Sequence, residues 1–323
     1  MIIDGNSDKL LLGGEILITT YFNGQEEQGL TWLDLTNPSL KELKDLSTLY
    51  DLHFTSLEDC LDPHHQPKFE AHKDHEFILL RLLEMAGPAA NTVQGLTSKV
   101  AIFLSEDNNL LLTVHRLDLP FMQEIYSKWQ QAGGEEALFN INLLLYDILK
   151  AVVWSYEPFW DRAFAEIDRL EKIVFQDRAS AAIISDLYLL RSQLTVLTQV
   201  LWQSYEVIGD WDKDKDPFIA PFYQDIRERV ERYLSILDRL VDSCNYLFNA
   251  YMTLSAHRTN QIIRTLTVLS LFFMPLTFIV GIYGMNFEFF PELKWRYGYL
   301  YVWGLMLSVV AGGYYWFRKK GWI

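Results

Sequence analysis

Two uncharged stretches near the C-terminal end constrain this chain more than anything else in it. From Thr265 to Phe287 no side chain carries a charge, and Tyr297 to Phe317 forms a second such run. Helices of about 23 and about 21 residues each span the hydrocarbon of a bilayer, roughly 30 Å thick. The link between them, Glu288 to Arg296, is short, so the two spans must form a hairpin. Arg258 and Arg264 precede the first run, and Arg318, Lys319 and Lys320 follow the second. Basic flanks stay on the cytoplasmic side. The link sets Glu288 and Glu292 against Lys294 and Arg296 and gives no opposing bias. The expectation is a multi-pass protein of the cell (inner) membrane, in contact with the lipid bilayer, with both termini cytoplasmic and the loop outside. Trp295, Tyr297, Tyr299, Tyr314, Tyr315, Trp316 and Trp322 supply the aromatic belts of both interfaces.

The preceding 260 or so residues read as soluble protein. A net charge of -14 argues against a nucleic-acid partner, because phosphate backbones require Lys and Arg. It suits cation handling and equally an ordinary acidic cytosolic surface. Cys60 and Cys244 give no disulfide framework. The N-terminal MIIDGNSDKLLLGG carries no basic segment leading into an apolar one, so no cleaved secretory signal is expected.

Segments 14–22, 75–85, 99–107 and 109–117 read as strands by length and β-branched content. LEMAGPAANTVQG and SEDNN read as turns between them, and LKELKDLSTLY after Asn37-Pro38-Ser39 as an amphipathic helix. Hairpin-like succession predicts a mixed or antiparallel sheet. Residues 137–175 keep an apolar position every three or four residues, with Pro158 as a kink, and 184–208 predict a second long helix antiparallel to it. WDKDKDP, 211–217, reads as a solvated loop. After Pro221 a helical pattern runs to Phe273 without Gly or Pro. That is about fifty residues, roughly 80 Å of helix.

The fold class is therefore α+β: a mixed-sheet α/β cytoplasmic domain, then a long helical stalk and two C-terminal transmembrane helices. The expected boundaries are 1–140 for the α/β domain, 141–220 for a helical cytoplasmic subdomain and 221–264 for the stalk. The first transmembrane helix, pore-lining, takes 265–287, the extracellular loop 288–296, the second transmembrane helix 297–317 and a basic cytoplasmic tail 318–323.

Within the first span, polar and small residues recur at sustained spacing. Asn260, Thr267, Met274 and Gly281 lie seven apart, as do Ile263, Ser270, Thr277 and Gly284. Together they form a stripe of the kind that faces a bundle axis. Small and hydroxyl residues also let membrane helices pack closely, so a plain packing seam gives the same pattern. A pore reading requires a symmetric oligomer with this helix innermost. Ile263 and Met274 would then form apolar rings that gate by dewetting, and Asn260 and Thr277 polar rings for a hydrated ion.

At the outer end stands Tyr283-Gly284-Met285-Asn286-Phe287, followed by Glu288 and Pro291-Glu292-Leu293. YGMNFEFFPELKW resembles the extracellular loop of the CorA family of magnesium transport proteins, and FRKKGWI resembles that family's C-terminus. Leu57 to Leu83 resembles its N-terminal leucine, acid, proline and lysine pattern, so the likeness covers the whole chain. The resemblance implies a homopentamer with an α/β cytoplasmic funnel and one long stalk helix per subunit. It also implies that Gly284, Met285 and Asn286 recruit the ion at the entrance.

Mg²⁺ sheds water reluctantly, and five uncharged Asn286 carbonyls could hold it hydrated yet release it. Met285 is a poor ligand for so hard an ion. Glu288 and Glu292 are either cation attractors or a solvated loop. The ion set implied is Mg²⁺, with Co²⁺ and Ni²⁺ as further cargo. No phosphate-binding loop is present, so no ATP is expected, and the membrane potential drives entry.

The family also implies closure by cytoplasmic Mg²⁺. Asp225 matches its regulatory stalk acid by distance from Asn286, against the reading of a solvated carboxylate. The loop expected to supply the partner acid has only Glu84 at its edge, with Glu106 and Asp107 in the next turn as substitutes. A zinc site among His64, His65, His72, His75, Cys60, Asp59 and Asp62 matches no closed tetrahedral spacing. Asp161, Asp168 and Glu171 read as a solvated acidic face. No nucleophile, base and oxyanion set is evident, so an enzyme is not expected. Two alternatives stay open, a ZntB-like zinc transporter of the same fold and a membrane-anchored cation sensor that conducts nothing. The Pro291-Glu292-Leu293 segment favours the magnesium reading over the zinc one.

Overall fold

The structure, a computed structural model, describes residues 8–10, 17–22, 30–131, 140–176, 182–211, 217–286, 288, 291 and 295–322. Most of the expected loop at 211–217 lies outside them. The chain divides into two compact units, Met1–Phe248 and Asn249–Ile323.

The first unit is built on one sheet. Its strands are β1 (Asp8–Leu10), β2 (Leu17–Phe22), β3 (Thr31–Thr36), β4 (Lys68–Ala71), β5 (Glu76–Leu83), β6 (Thr97–Ser105) and β7 (Leu110–His115). They lie in the order β1-β2-β3-β7-β6-β5-β4. Every pair is antiparallel except β3 with β7, which is parallel, so the sheet is mixed as expected.

Strand β3, TWLDLT, was not among the expected strands, because Asp34 interrupts its apolar run. The fold tolerates that carboxylate by pairing it. Thr113 Oγ1 donates to Asp34 Oδ1, and His115 Nε2 lies 2.9 Å from the same oxygen. Trp32 Nε1 donates to Thr113 Oγ1 at 3.2 Å. A buried acid so supplied with donors does not carry the penalty of a bare one.

Helices α1 (Leu40–Tyr50) and α2 (Phe54–Leu61) cover one face of the sheet. Leu43, Leu46 and Leu57 pack there on Leu33, Leu35, Phe77, Leu79, Ala101, Phe103, Leu112 and Val114, every second residue of four strands. Ser39 and Glu42 form a reciprocal capping box at the start of α1. The short α3 (Val93–Leu96) lies inside the stretch expected to be a plain turn, and α4 (Pro120–Gln131) follows the sheet.

The other face carries α5 (Ile141–Trp154) and α7 (Ala182–Trp211). With both faces covered, β5 and β7 are buried continuously, without the alternation of a one-sided sheet. Between them lies α6 (Glu157–Phe175), separated from α5 by a break at Ser155 and Tyr156. Pro158 sits in the first turn of α6, where its missing N–H costs nothing, so it starts a new helix and does not kink a single one.

Helix α8 runs unbroken from Ala220 to Tyr283, 64 residues. Its buried positions, from Tyr223 through Ile226, Val230, Leu237 and Leu240 to Cys244 and Leu247, follow the helical period and then stop. The helix continues through Pro275. In the second unit the rest of α8 is followed by α9 (Gly298–Lys319), and both helices are long and apolar enough to cross a membrane.

Candidate functional site

The second unit holds the ion-path residues expected from the sequence, and its two helices define two distinct faces of α8. One face meets α9. Phe272 lies 5.7 Å from Phe317, ring centre to ring centre, and its Cε1 would stand 3.1 Å from a Cβ added at Gly313. At the end of the hairpin away from the connecting loop, Arg264 Nη2 donates to the Gly321 carbonyl, and its guanidinium lies 5.6 Å from the Trp322 ring. Trp322 N donates to the Phe317 carbonyl at 3.0 Å, which folds the tail back onto α9. The tail so formed packs against the very residue, Arg264, that closes the charged end of the first span.

The stripe lies on another face. Asn260, Ile263, Ser270, Met274, Thr277, Gly281 and Gly284 are exposed, and Thr267 is half-buried. Ser270, Met274, Thr277, Gly281 and Met285 line one shallow groove together with Phe273, Phe278 and Ile282. Met274 is 69 % exposed. Apart from Thr267, the hairpin's own seam therefore does not use the stripe, and packing between the two helices of one chain does not explain its exposed small and polar residues.

The helix ends at Tyr283, so Gly284, Met285 and Asn286 form a turn beyond it. Gly284 N donates to Val280 O at 2.9 Å, and Met285 N to Ile282 O at 3.2 Å. A Cβ at Gly284 would come within 3.2 Å of that same Val280 oxygen, which is tighter than ordinary contact. Glycine lets the last turn close here without displacing the carbonyl. Asn286 follows, exposed, and Glu288 is exposed as well. Glu292 lies outside the described residues.

In the first unit Asp225 is exposed on α8. Tyr146 Oη donates to its Oδ2 at 3.2 Å, and Lys150 Nζ donates to Tyr146 Oη at 3.4 Å. Burial, and then the charge and hydrogen bond of Asp225, push the Tyr146 phenol up to about 12, so it stays a donor. Tyr146 was not singled out by sequence, since a tyrosine half-buried on a helix carries no pattern of its own. Glu84 lines a separate cavity under the sheet, and Glu106 and Asp107 lie in the β6–β7 turn.

The histidine-rich segment comes apart into separate small contacts. His72 stacks on His53 at 4.5 Å and meets Ser56 Oγ at 3.1 Å. His65 pairs with Asp59 at 3.1 Å, and His64 meets Gln94 at 2.7 Å. Burial pushes the Cys60 thiol up to about 12, with Lys99 opposing and Asp59 adding to the rise, so it is not a thiolate. No group of three or more His, Cys, Asp or Glu side chains converges on a metal-sized site among the described residues. Asp161, Asp168 and Glu171 are spread along α6, and all three are exposed.

The family model described as CorA-like Mg²⁺ transporter protein matches residues 27–319. The cobalt/magnesium transport protein CorA of Thermotoga maritima is 26 % identical over 91 % of this chain and 83 % of its own length. The complete structure of the CorA magnesium transporter from Methanocaldococcus jannaschii matches with a TM-score of 0.78 at 23 % identity, covering 92 % of this chain and 93 % of that one. The ZntB cytoplasmic domain from Vibrio parahaemolyticus shares the fold of the first unit at a TM-score of 0.58 and 10 % identity, over 73 % of this chain and 97 % of that one. The sheet, the long helix, the apolar hairpin and a match that runs through nearly all of them lead to one assignment: the chain belongs to the CorA-like Mg²⁺ transporter family.

Proposed function

We propose that five copies of this chain surround a common axis with α8 innermost and conduct hydrated divalent cations, chiefly Mg²⁺ and also Co²⁺ or Ni²⁺, into the cytoplasm. The observation that carries the reading is the stripe from Asn260 to Gly284, which the chain's own second span leaves uncovered. Exposed polar residues in a membrane helix require water or a partner copy. A pore between copies supplies both. The pentameric number rests on the family resemblance.

In this reading Asn286 accepts the ion's water shell at the outer mouth, Gly284 holds the turn and Met285 shapes it. Glu288 and Glu292 raise the local cation concentration. Thr277, Ser270, Thr267 and Asn260 pass the hydrated ion inward, while Met274 and Ile263 form the apolar constrictions. The basic flanks support a cytoplasmic position for both termini. A divalent ion moving inward down 100 mV gains about 4.6 kcal/mol, which drives entry without ATP.

Cytoplasmic Mg²⁺ closes the pore by bridging Asp225 to a carboxylate of a neighbouring copy. Asp225 keeps Oδ1 for that role while Tyr146 holds Oδ2. Purified wild-type protein should resist limited proteolysis as Mg²⁺ rises through the millimolar range, and Asp225→Ala should need several-fold more. Equal protection of the two would remove Asp225 from regulation.

Uptake by protein reconstituted in liposomes tests the transport reading. Mg²⁺ entry that increases with an inside-negative potential supports it. Zn²⁺ entry without Mg²⁺ would assign a ZntB-like transporter, and no entry of either ion would assign a sensor.

A further inference from the structure

Under the sheet, on the side covered by α2, lies a cavity of about 570 Å³. Its wall is made by β5, β6, the end of β7, the end of α2 and the stretch that contains α3. It lies wholly within the first unit and shares no residue with the ion path. Its chemistry is set by an unusual pairing in the sheet. Arg81 of β5 and Lys99 of β6 stand directly opposite each other in the antiparallel register. Like charges so placed repel. Arg81 is nonetheless 2 % exposed.

Among the described residues, neither charge is matched by a carboxylate in an ion pair. Arg81 Nε donates to Thr97 Oγ1, Nη1 to the carbonyls of Pro63 and His65, and Nη2 to the Thr97 carbonyl. One N–H of Nη2 remains. Lys99 Nζ donates to the carbonyls of Asp59, Cys60 and Asp62 at 2.7, 2.9 and 2.5 Å. These contacts pin the end of α2 to the sheet, and they satisfy hydrogen bonds without neutralising charge. The Asp59 side chain is engaged by Lys68 and His65. Burial lowers the Lys99 pKa to about 8, with Cys60, Asp62 and Asp59 opposing and Arg81 adding to the fall.

A third cation, Arg116, lines the same cavity at its exposed rim, and Glu84 is the one carboxylate among the lining residues. Asn37 and Ser98 add polar groups to the wall. His115, also in the wall, is held against Asp34, and in a chain whose net charge is -14 a cavity with three further cations, Arg81, Lys99 and Arg116, and one carboxylate is an electrostatic exception. Its volume falls in the range of small-molecule sites. Arginine recognises phosphate oxygens through paired N–H groups, and a dianion would offset the excess of two positive charges.

We infer that this cavity binds a small phosphate-bearing anion, held by the field of Arg81 and Lys99 and gripped at the rim by Arg116. Such a ligand fastens α2 and the 84–96 stretch to β5 and β6.

The test is calorimetric titration of the full chain in detergent with inorganic phosphate and with pyrophosphate. EDTA is present and ionic strength is held constant, so divalent ions and bulk screening play no part. Saturable binding is expected, with acetate at least tenfold weaker. Arg116→Gln should weaken phosphate binding at least tenfold with an unchanged thermal midpoint in the ligand-free state. Glu84→Gln, which removes the opposing charge, should tighten it several-fold. No saturable heat with either phosphate, an affinity indifferent to Arg116→Gln, or acetate binding as tightly would overturn the inference and leave the two cations as a pin for α2 alone.

Discussion

Position 313 admits a hydrogen and little else. A methyl group there would meet Phe272 at 3.1 Å, whereas one at Gly312 would meet nothing within 4 Å. Gly313→Ala should therefore destabilise the hairpin by about 1–3 kcal/mol, the usual cost of overpacking. Gly312→Ala should change it little. Thermal midpoints of the two purified variants give the comparison. The sequence shows the Gly312-Gly313 pair but not which of the two faces a ring.

His115 is a second residue whose role depends on its surroundings. Both ring nitrogens face acceptors, Nε2 toward Asp34 Oδ1 and Nδ1 toward the Leu117 carbonyl at 2.5 Å. Only the imidazolium has a proton for each. Burial works against that charge. The Asp34 hydrogen bond and charge, the Leu117 carbonyl and Asp118 outweigh it and raise the pKa above 6.5. A raised folded-state pKa contributes stability that is full below the unfolded value near 6.5 and fades as pH rises through the folded value. The wild-type thermal midpoint should thus fall between pH 6 and pH 9, and His115→Gln, which cannot titrate, should lose that part of the slope. An equal slope in both proteins would exclude His115 as its source. Nothing in the sequence connects Asp34 with His115, 81 residues apart; the parallel pairing of β3 with β7 does.

Among the elements, α8 was the most legible, because a long uninterrupted period needs no tertiary information. The seven-residue recurrence from Asn260 to Gly284 marks a face, and the structure leaves that face uncovered while α9 takes another. The end of the helix was less legible. Tyr283 is followed by a turn, not by further helix to Phe287, because Gly284 and Met285 bond back to Val280 and Ile282.

Short elements were the least legible. β4 has four residues and α2 eight, too few for a period to show. Strand β3 was hidden by its buried acid. The two faces of α8 can be separated chemically. A cysteine at Ser270 or Thr277 should react with a water-soluble thiol reagent at least tenfold faster than one at Leu276, and its modification should block Mg²⁺ uptake. Native Cys60 and Cys244 should stay silent, since burial raises both thiols, to about 12 and about 11. Equal reactivity at the two faces would contradict a water-filled path along the stripe.

The whole molecule pairs a folded α/β unit with a hairpin whose apolar surface is almost entirely unburied. Neither candidate span has more than 6 % of its apolar window covered. In the proposed reading, lipid covers the apolar part of that surface and neighbouring copies around an axis take up the polar stripe. The family was legible from Gly284-Met285-Asn286 and its setting, and the match over residues 27–319 extends it to the whole architecture. The partner acid of the proposed regulatory site was not legible, because a carboxylate supplied by a neighbouring copy would leave no pattern around Asp225 in the sequence of one chain. Uptake of Mg²⁺ into proteoliposomes, wild type against Asn286→Ala at equal protein content, tests the central claim most directly. The account predicts rapid, potential-dependent entry in the wild type and a loss of at least tenfold in the variant. Entry that persists undiminished in Asn286→Ala would contradict it.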